Sequence, residues 1–582
     1  MKNSILKKAI SGIAAAVMLA VPSASGFSGV KTTETQAAPD SYHDDWLHVN
    51  DKAQIVDMNG NEVWLTGINW FGYNVGSQIF DGAWSANVHH CLDLIADHGF
   101  NLLRVPMSTQ ILLQWKNNEP DPLIKLNEYE NPELTIEGVK GGTPMYSFDI
   151  WNQVVAWCRE NGIKIMMDIH SATTNAAGHN YALWYDSNYS TDDWLEALAW
   201  FSDYYKDDDT IIAIDLKNEP HGKKDDGTFA KWDGSTDENN WRYAAELGAK
   251  ACLDQNPNLL IMVEGIEVYP KFEEGENWSS PSVDYANYPR SPYHGAWWGA
   301  NFRGVREYPV DLGEHQSQLV YSPHDYGPEV YNQSWFYLDD DSKTFTRQTL
   351  LDDYWYDTWA YLVEEQISPL LMGEWGGWVD EEHDKTGENR HWLQELRDYM
   401  IDKHIHHTFW CFNENSSDTG GLMYDNFQKW DDQKYEFIEP ALWQDNDGKF
   451  ISLDHTIPLG RAGNGISLSD YYSGGQSQET TASTTSMTAT SSDILYGDAN
   501  CDDKVDISDA VMVLQALSNK DKYGLNGTDP THITEQGMKN ADCNLSRDGV
   551  TTADALAIQK AVLQLITLPV SYTHLRAHET RR

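Results

Sequence analysis

At 582 residues the chain is too long for one ordinary domain, and 89 acidic against 41 basic side chains give it a formal charge of −48. That balance argues against nucleic acid and against anionic membrane surfaces as partners, since both are gripped by Lys and Arg, and it reads first as solubility. The 24 Trp and 30 Tyr exceed what a core needs and suit a carbohydrate, whose flat apolar ring faces stack on aromatic rings.

Lys2, Lys7 and Lys8, the apolar run 9–21 and the small residues Ser23, Ala24, Ser25 and Gly26 read as an export signal over 1–25, with a spacer to residue 38. The apolar run is short for a membrane span, so a secreted, extracellular protein is expected. Next, Asn59-Gly60 between apolar pairs predicts a small hairpin at a barrel floor. Short apolar runs at 63–69, 101–107, 163–170, 211–218, 258–265, 319–326, 368–375 and 407–413 read as buried parallel strands. Amphipathic stretches at 86–98, 148–160, 192–206, 240–254, 347–365 and 392–404 read as helices between them. Eight strands alternating with helices predict an α/β fold, a (β/α)8 barrel over 42–448, with 266–318 as a long loop. Residues 449–492 read as a linker, Ser/Thr-rich at its end, before a compact unit at 493–568. The stretch 569–582, basic in an acidic chain, reads as a non-native tail. Cys91, Cys158, Cys252, Cys411, Cys501 and Cys543 form no CxxC or Cys/His cluster; they read as mostly buried thiols, with no zinc.

A barrel carries its chemistry at the C-terminal ends of its strands. There the second run carries Arg104, the third Asp168 and His170, and the fourth Asn218 and Glu219. The sixth carries His324, Asp325 and Tyr326, the seventh Glu374 and the eighth Trp410. Glycoside hydrolysis needs one carboxylic acid to protonate the leaving oxygen and one carboxylate on the opposite face of the ring. Glu219 and Glu374, nearly across the mouth, are the candidate pair, expected about 5–5.5 Å apart for retention of configuration. Arg104 suits holding a carboxylate ionised, Tyr326 a hydrogen bond to Glu374, and Trp410 a platform for the sugar. His170, Asn218 and His324 suit sugar hydroxyls. No cofactor is expected for this chemistry.

Trp64-Leu65-Thr66-Gly67-Ile68-Asn69-Trp70-Phe71-Gly72, Leu102-Leu103-Arg104-Val105-Pro106 and Asp215-Leu216-Lys217-Asn218-Glu219-Pro220-His221 carry a resemblance, joined by Tyr321-Ser322-Pro323-His324-Asp325-Tyr326 and Gly373-Glu374-Trp375-Gly376. Together they resemble glycoside hydrolase family 5, with the nearest likeness to bacterial endo-1,4-β-glucanases, over 46–443. The resemblance implies Glu219 as acid/base and Glu374 as nucleophile, with Arg104, His170, Asn218, His324, Tyr326 and Trp410 in support. Trp375 departs from the Phe frequent in relatives. Mannan, xyloglucan or mixed-linkage glucan are alternative substrates, since folds do not fix substrates. A non-catalytic carbohydrate-binding scaffold component is the alternative of another class, and it would need one glutamate lost.

In the last unit Asp498, Asn500, Asp502, Lys504, Asp506 and Asp509 stand at positions one, three, five, seven, nine and twelve of a loop with EF-hand spacing, with Asp503 where Gly is expected at position six. A second copy offers Asp542, Asn544, Asp548 and Asp554, one residue longer, and each loop leads into an apolar helix. Two Ca2+ sites in a small all-α unit are expected. A duplicated loop and helix after a Ser/Thr stretch resembles a type I dockerin, which implies a cohesin partner on a cellulosome scaffold.

Overall fold

A computed structural model describes residues 44–119, 124–281, 291–339, 342–474 and, further on, 496–562 without 502, 503, 506, 526, 530, 531 and 544–549. The export signal, the Ser/Thr stretch and the basic tail expected from sequence lie outside the described residues. The chain divides into two units, 1–478 and 479–582.

In the first unit eight parallel strands run in chain order around a barrel: β1 Thr66–Asn69, β2 Leu102–Ser108, β3 Lys164–Ser171, β4 Ile211–Asp215, β5 Leu260–Val263, β6 Leu319–Tyr321, β7 Leu371–Trp375 and β8 His406–Phe409. β8 pairs back onto β1, and single parallel bridges Tyr321–Leu370 and His324–Glu374 close the seam between β6 and β7. Strand periodicity explains the filling. Leu102, Met166, Leu260, Met262, Val320 and Leu371 pack in the lower barrel, while Leu103, Val105, Ile165, Met167 and Ile261 belong to the shell shared with the helices. Ten Trp side chains are fully buried, so the aromatic excess is in large part a packing resource. Some also fasten helix to strand: Trp194 Nε1 donates to Leu216 O (3.1 Å) and Trp241 Nε1 to Glu264 O (2.7 Å).

The expected helices form at Val88–Asp97, Ser147–Glu160, Thr191–Tyr204, Trp241–Leu253 and Glu388–Lys403. The run 347–365 is one helix only in outline, because its middle, Leu351–Ala360, is π-helical. An additional helix, Thr109–Lys116, follows β2 directly, capped by Ser108. Within 266–318 a short ribbon pairs Val268–Pro270 with Tyr293–Gly295. At the floor a hairpin pairs Leu47–Val49 with Ile55–Asp57, and the expected turn at Asn59-Gly60, with Gly60 at φ +81°, brings Glu62 back onto Val56 in a single antiparallel bridge.

The linker boundary is corrected. Residues 449–474 belong to the barrel unit: Phe450–Ile451 pairs with Gly465–Ile466, Leu468–Gly474 is helical, and Phe450, Ile451, Leu453, Ile457, Leu459 and Leu468 are buried. Ile451, Leu453 and Leu468 join Leu47 and Ile55 of the hairpin in capping the floor. Charges pin this cap. Lys164 Nζ lies 2.7 Å from Asp45, 3.6 Å from Asp209 and 3.6 Å from Asp454. His455 bridges Asp45 (2.5 Å) and Asp57 (2.9 Å).

The second unit holds helices Ile507–Ser518, Lys520–Tyr523, Glu535–Ala541 and Thr552–Val562. Its core is small and built of short side chains, among them Ala499, Ala510, Val513, Ala516, Ala541, Ala555 and Ile558.

Candidate active site

The end of the barrel opposite the capped floor opens into a cleft of about 860 Å3. Glu219 and Glu374 line it together with His170, Asn218, Tyr326 and Trp410. Oxygens of Glu219 and Glu374 and a ring nitrogen of His324 all lie within 4.8 Å of one another, so the two glutamates meet. Aromatic rings flank them, Phe71 and Trp84 beside the β1 loop and Trp297, Trp298 and Tyr331 beyond β5 and β6.

Glu374 is held from two directions. Arg104 Nη1 donates to Oε1 at 2.8 Å, and the Tyr326 hydroxyl donates to Oε2 at 2.6 Å. Arg104 is not at a strand end as the sequence reading had it. It is the third residue of β2, fully buried, and reaches upward from inside the barrel. Nη1 also donates to Asn69 Oδ1 (3.0 Å), Nε and Nη2 donate to Asp215 Oδ2 (3.1 and 2.9 Å), and Nη2 donates to Asn218 Oδ1 (3.2 Å). Burial opposes its charge, but Asp168, Asp215, Glu374 and Glu264 outweigh burial and hold the guanidinium more firmly protonated than usual.

Glu219 follows Asn218 beyond the end of β4, in left-handed backbone at φ +49°. His324 Nδ1 lies 3.0 Å from its Oε1. Burial and then the charge of Glu374 push its carboxyl well above the ordinary range. Glu374 is also raised by burial, but Arg104, His170 and the Tyr326 hydroxyl oppose the rise. The pair is therefore asymmetric: Glu219 keeps its proton and Glu374 loses its own first. Burial holds His170 and His324 neutral. His170 Nδ1 is tied to Asp168 at 2.6 Å, its ring stacks 5.9 Å from Trp410, and Trp410 Nε1 donates to Ser416 Oγ at 3.1 Å. Asn218 Nδ2 is buried without a partner among the described residues, at the cleft wall.

The sequence gives Asn69, Asp215 and Lys217 no role beyond their place in the motifs, does not single out Glu264, and points to Asp168 only in passing. All five are buried. Strand alternation could have found two of them, because Asp168 follows Met166 and Glu264 follows Leu260 and Met262 on the inward positions. In the second unit Asn500 N donates to Asp509 Oδ1 (3.1 Å) and Cys543 N to Asp554 Oδ1 (2.9 Å). Asp498, Asp509 and Asp554 are buried, and Lys504 and Asp542 are also described. Asp502, Asp506, Asn544 and Asp548 lie outside the described residues. All six cysteines are free thiols, and all but Cys501 are buried.

Residues 56–416 match the cellulase family, glycosyl hydrolase family 5. Endoglucanase G of Acetivibrio thermocellus is 48% identical over 86% of this chain and 90% of its own length. Endoglucanase B of the same organism is 41% identical, over 83% and 86%. A variant of the endocellulase from Pyrococcus horikoshii, solved with cellotetraose, superposes with a TM-score of 0.56 at 27% identity, covering 68% of this chain and 98% of that one. The catalytic domain of the major endoglucanase from Xanthomonas campestris superposes with a TM-score of 0.56 at 27% identity, covering 68% and 99%. With an eight-stranded barrel and a glutamate pair at its mouth, the chain belongs to glycosyl hydrolase family 5 and is a glycoside hydrolase of endoglucanase type.

Proposed function

We propose that the barrel cleaves internal β-1,4-glucosidic bonds with retention, Glu219 acting as acid/base and Glu374 as nucleophile. The observation that carries this is the approach of the two carboxyl groups within 4.8 Å, which leaves no room for a water between carboxylate and sugar. Glu374, ionised against Arg104, attacks the anomeric carbon while Glu219 protonates the leaving oxygen. Glu219, now a carboxylate, then takes a proton from the water that releases the glycosyl-enzyme. His170 and Asn218 meet sugar hydroxyls and Trp410 carries the ring being cleaved. Aromatic rings on both sides of the glutamates suit a chain that passes through the cleft, hence endo action. Glu374→Ala abolishes turnover with the fold intact, and NMR of the first-formed product from the native enzyme shows the retained anomer. An inverted anomer overturns the assignment.

The second unit we read as a calcium-dependent docking module of a secreted enzyme, with a cohesin on a scaffold as its partner. Two aspartates per unit-length copy, Asp498 with Asp509 and Asp542 with Asp554, bring buried or half-buried oxygens to the start and end of each loop, the donor chemistry a hard cation takes. Asn500, Lys504 and the carboxylates outside the described residues would complete the sets. The match to Endoglucanase G covers 86% of the chain, more than residues 1–478 amount to. Ca2+ bound only by the fold adds its binding energy to a small core. Chelator should therefore melt the second unit while hydrolysis of soluble glucan survives. A calorimetric trace unchanged by chelator overturns the docking reading.

A further inference from the structure

Glu264 has no place in the mechanism above, yet it touches the machinery at two points. It follows β5, continues the inward positions of Leu260 and Met262, and is fully buried. Its Oε2 accepts the backbone N–H of Glu219 at 2.8 Å. Its Oε1 lies 3.2 Å from Nε2 of His324, whose Nδ1 faces the Glu219 carboxyl at 3.0 Å. His324 thus stands between two carboxyl groups. The position is boxed in: a Cβ on Gly299, itself at φ +75°, would fall 2.1 Å from Glu264 Oε2.

A neutral imidazole has one N–H, so whatever Glu264 does at Nε2 decides what Nδ1 presents to Glu219. Oε2 takes the acceptor role toward the backbone, which leaves Oε1 as the hydroxyl if the group carries a proton. Oε1 and Nε2 face each other with no hydrogen-bond partner of their own among the described residues, and a proton on Oε1 joins them. Asp168 and Asp215 crowd Glu264, with Arg104 and Lys217 as cations and neutral His324 beside it. Arg104 Nη2 also comes to 3.5 Å from Oε1 but is held closer by Asp215, as Nη1 is by Glu374, and burial, followed by Asp215, raises the Glu264 carboxyl well above its ordinary range.

We propose that Glu264 is a positioning residue for the acid/base: as a neutral carboxylic acid it donates Oε1–H to His324 Nε2 and so fixes the tautomer whose Nδ1–H points at Glu219 Oε1. When Glu219 passes its proton to the leaving oxygen, the new carboxylate finds a donor already aimed at it. The bond is stronger to the carboxylate than to the acid, so it favours the transition state over the ground state. No proton leaves Glu264 in the cycle. The inference rests on Glu219 being the acid/base.

Two variants separate this role from packing. Glu264→Gln reproduces the neutral acid, with a carbonyl for Glu219 N–H and an N–H for Nε2. Glu264→Met keeps the volume and removes the donor. On cellohexaose, kcat of Glu264→Gln should stay within about three-fold of native, while Glu264→Met should fall about 10- to 100-fold with KM little changed. On dinitrophenyl cellobioside, whose leaving group needs no proton, glycosylation by Glu264→Met should fall far less. Equal losses for Gln and Met, or equal losses on the two substrates, overturn the proposal. Glu219→Gln run in parallel tests the premise by itself, since equal losses on both substrates there remove Glu219 as the acid and not Glu264 as its support.

Discussion

Tyr326 donates its hydroxyl to Glu374 Oε2 at 2.6 Å, on the carboxylate oxygen that Arg104 leaves free. Both donors favour the ionised form of Glu374, and only the Tyr326 bond can be removed without leaving several buried carboxylates unpaired. A hydrogen bond to a charged group contributes about 1.5–3 kcal/mol. Tyr326→Phe is therefore expected to lower kcat by about 10- to 100-fold. Because this bond opposes the upward shift of Glu374, its loss moves the acid limb of the pH–rate profile to higher pH. Steady-state kinetics over a pH series measures both effects, and an acid limb that stays in place removes Tyr326 from control of Glu374.

The native pH profile follows from the asymmetry of the pair. Activity rises as Glu374, shifted upward by burial, ionises, and falls as Glu219, shifted further by burial and by Glu374, gives up its proton. Both limbs should lie above the ordinary glutamate value. Glu219→Gln, assayed for glycosylation by an activated aryl cellobioside, should keep the acid limb and lose the alkaline one. An alkaline limb that persists belongs to another group.

The floor predicts a different pH dependence, of stability. Hydrogen bonds to Asp45 and Asp57 raise His455 from 6.5 to about 9. A group whose folded pKa is raised stabilises fully below its unfolded value and loses that contribution as pH climbs through the folded one. The melting temperature of the barrel unit should thus decline between about pH 6.5 and 9 by an amount that His455→Gln abolishes. At pH 10 the variant and the native protein should melt together; a gap that is constant across the series points to packing instead.

The corrected boundary gives a truncation test. Phe450, Ile451, Leu453, Ile457, Leu459 and Leu468 are buried, each contributing about 1.5–3 kcal/mol against a total domain stability of about 5–15 kcal/mol. A chain ending at residue 448 should be insoluble or lack a cooperative melt, whereas one ending at residue 478 should hydrolyse glucan normally. Equal activity of the two would return 449–474 to the linker.

Glu219 and Glu374 were legible because their neighbours signal a strand end: Asn218 and Pro220 around one, Gly373 and Gly376 around the other. Glu264 and Asp215 were not, because each sits inside or beside an apolar run, where a lone carboxyl looks like an interruption. What pays for their burial, Arg104, comes from another strand and is visible only in three dimensions. The segment 449–474 failed for the opposite reason. Its six buried apolar side chains follow neither a period of two nor one of 3.6 and are diluted by Asp454, Pro458, Gly460 and Gly463, so composition reads as loop while each apolar group finds its own niche in the floor. The π-helical middle of 347–365 was equally hidden, since its aromatic spacing fits an α-helix within one residue.

That floor also sets an order of events during synthesis. The barrel's eighth strand leaves the ribosome with His406–Phe409, but the bottom of the barrel stays open to water until Leu468 and its neighbours have followed. A nascent chain paused between those points exposes Leu102, Met166 and Leu260 at an unsealed end, the kind of surface that chaperones hold and that aggregates when they do not. A pause is harmless to this barrel once residue 474 has emerged and hazardous just before that.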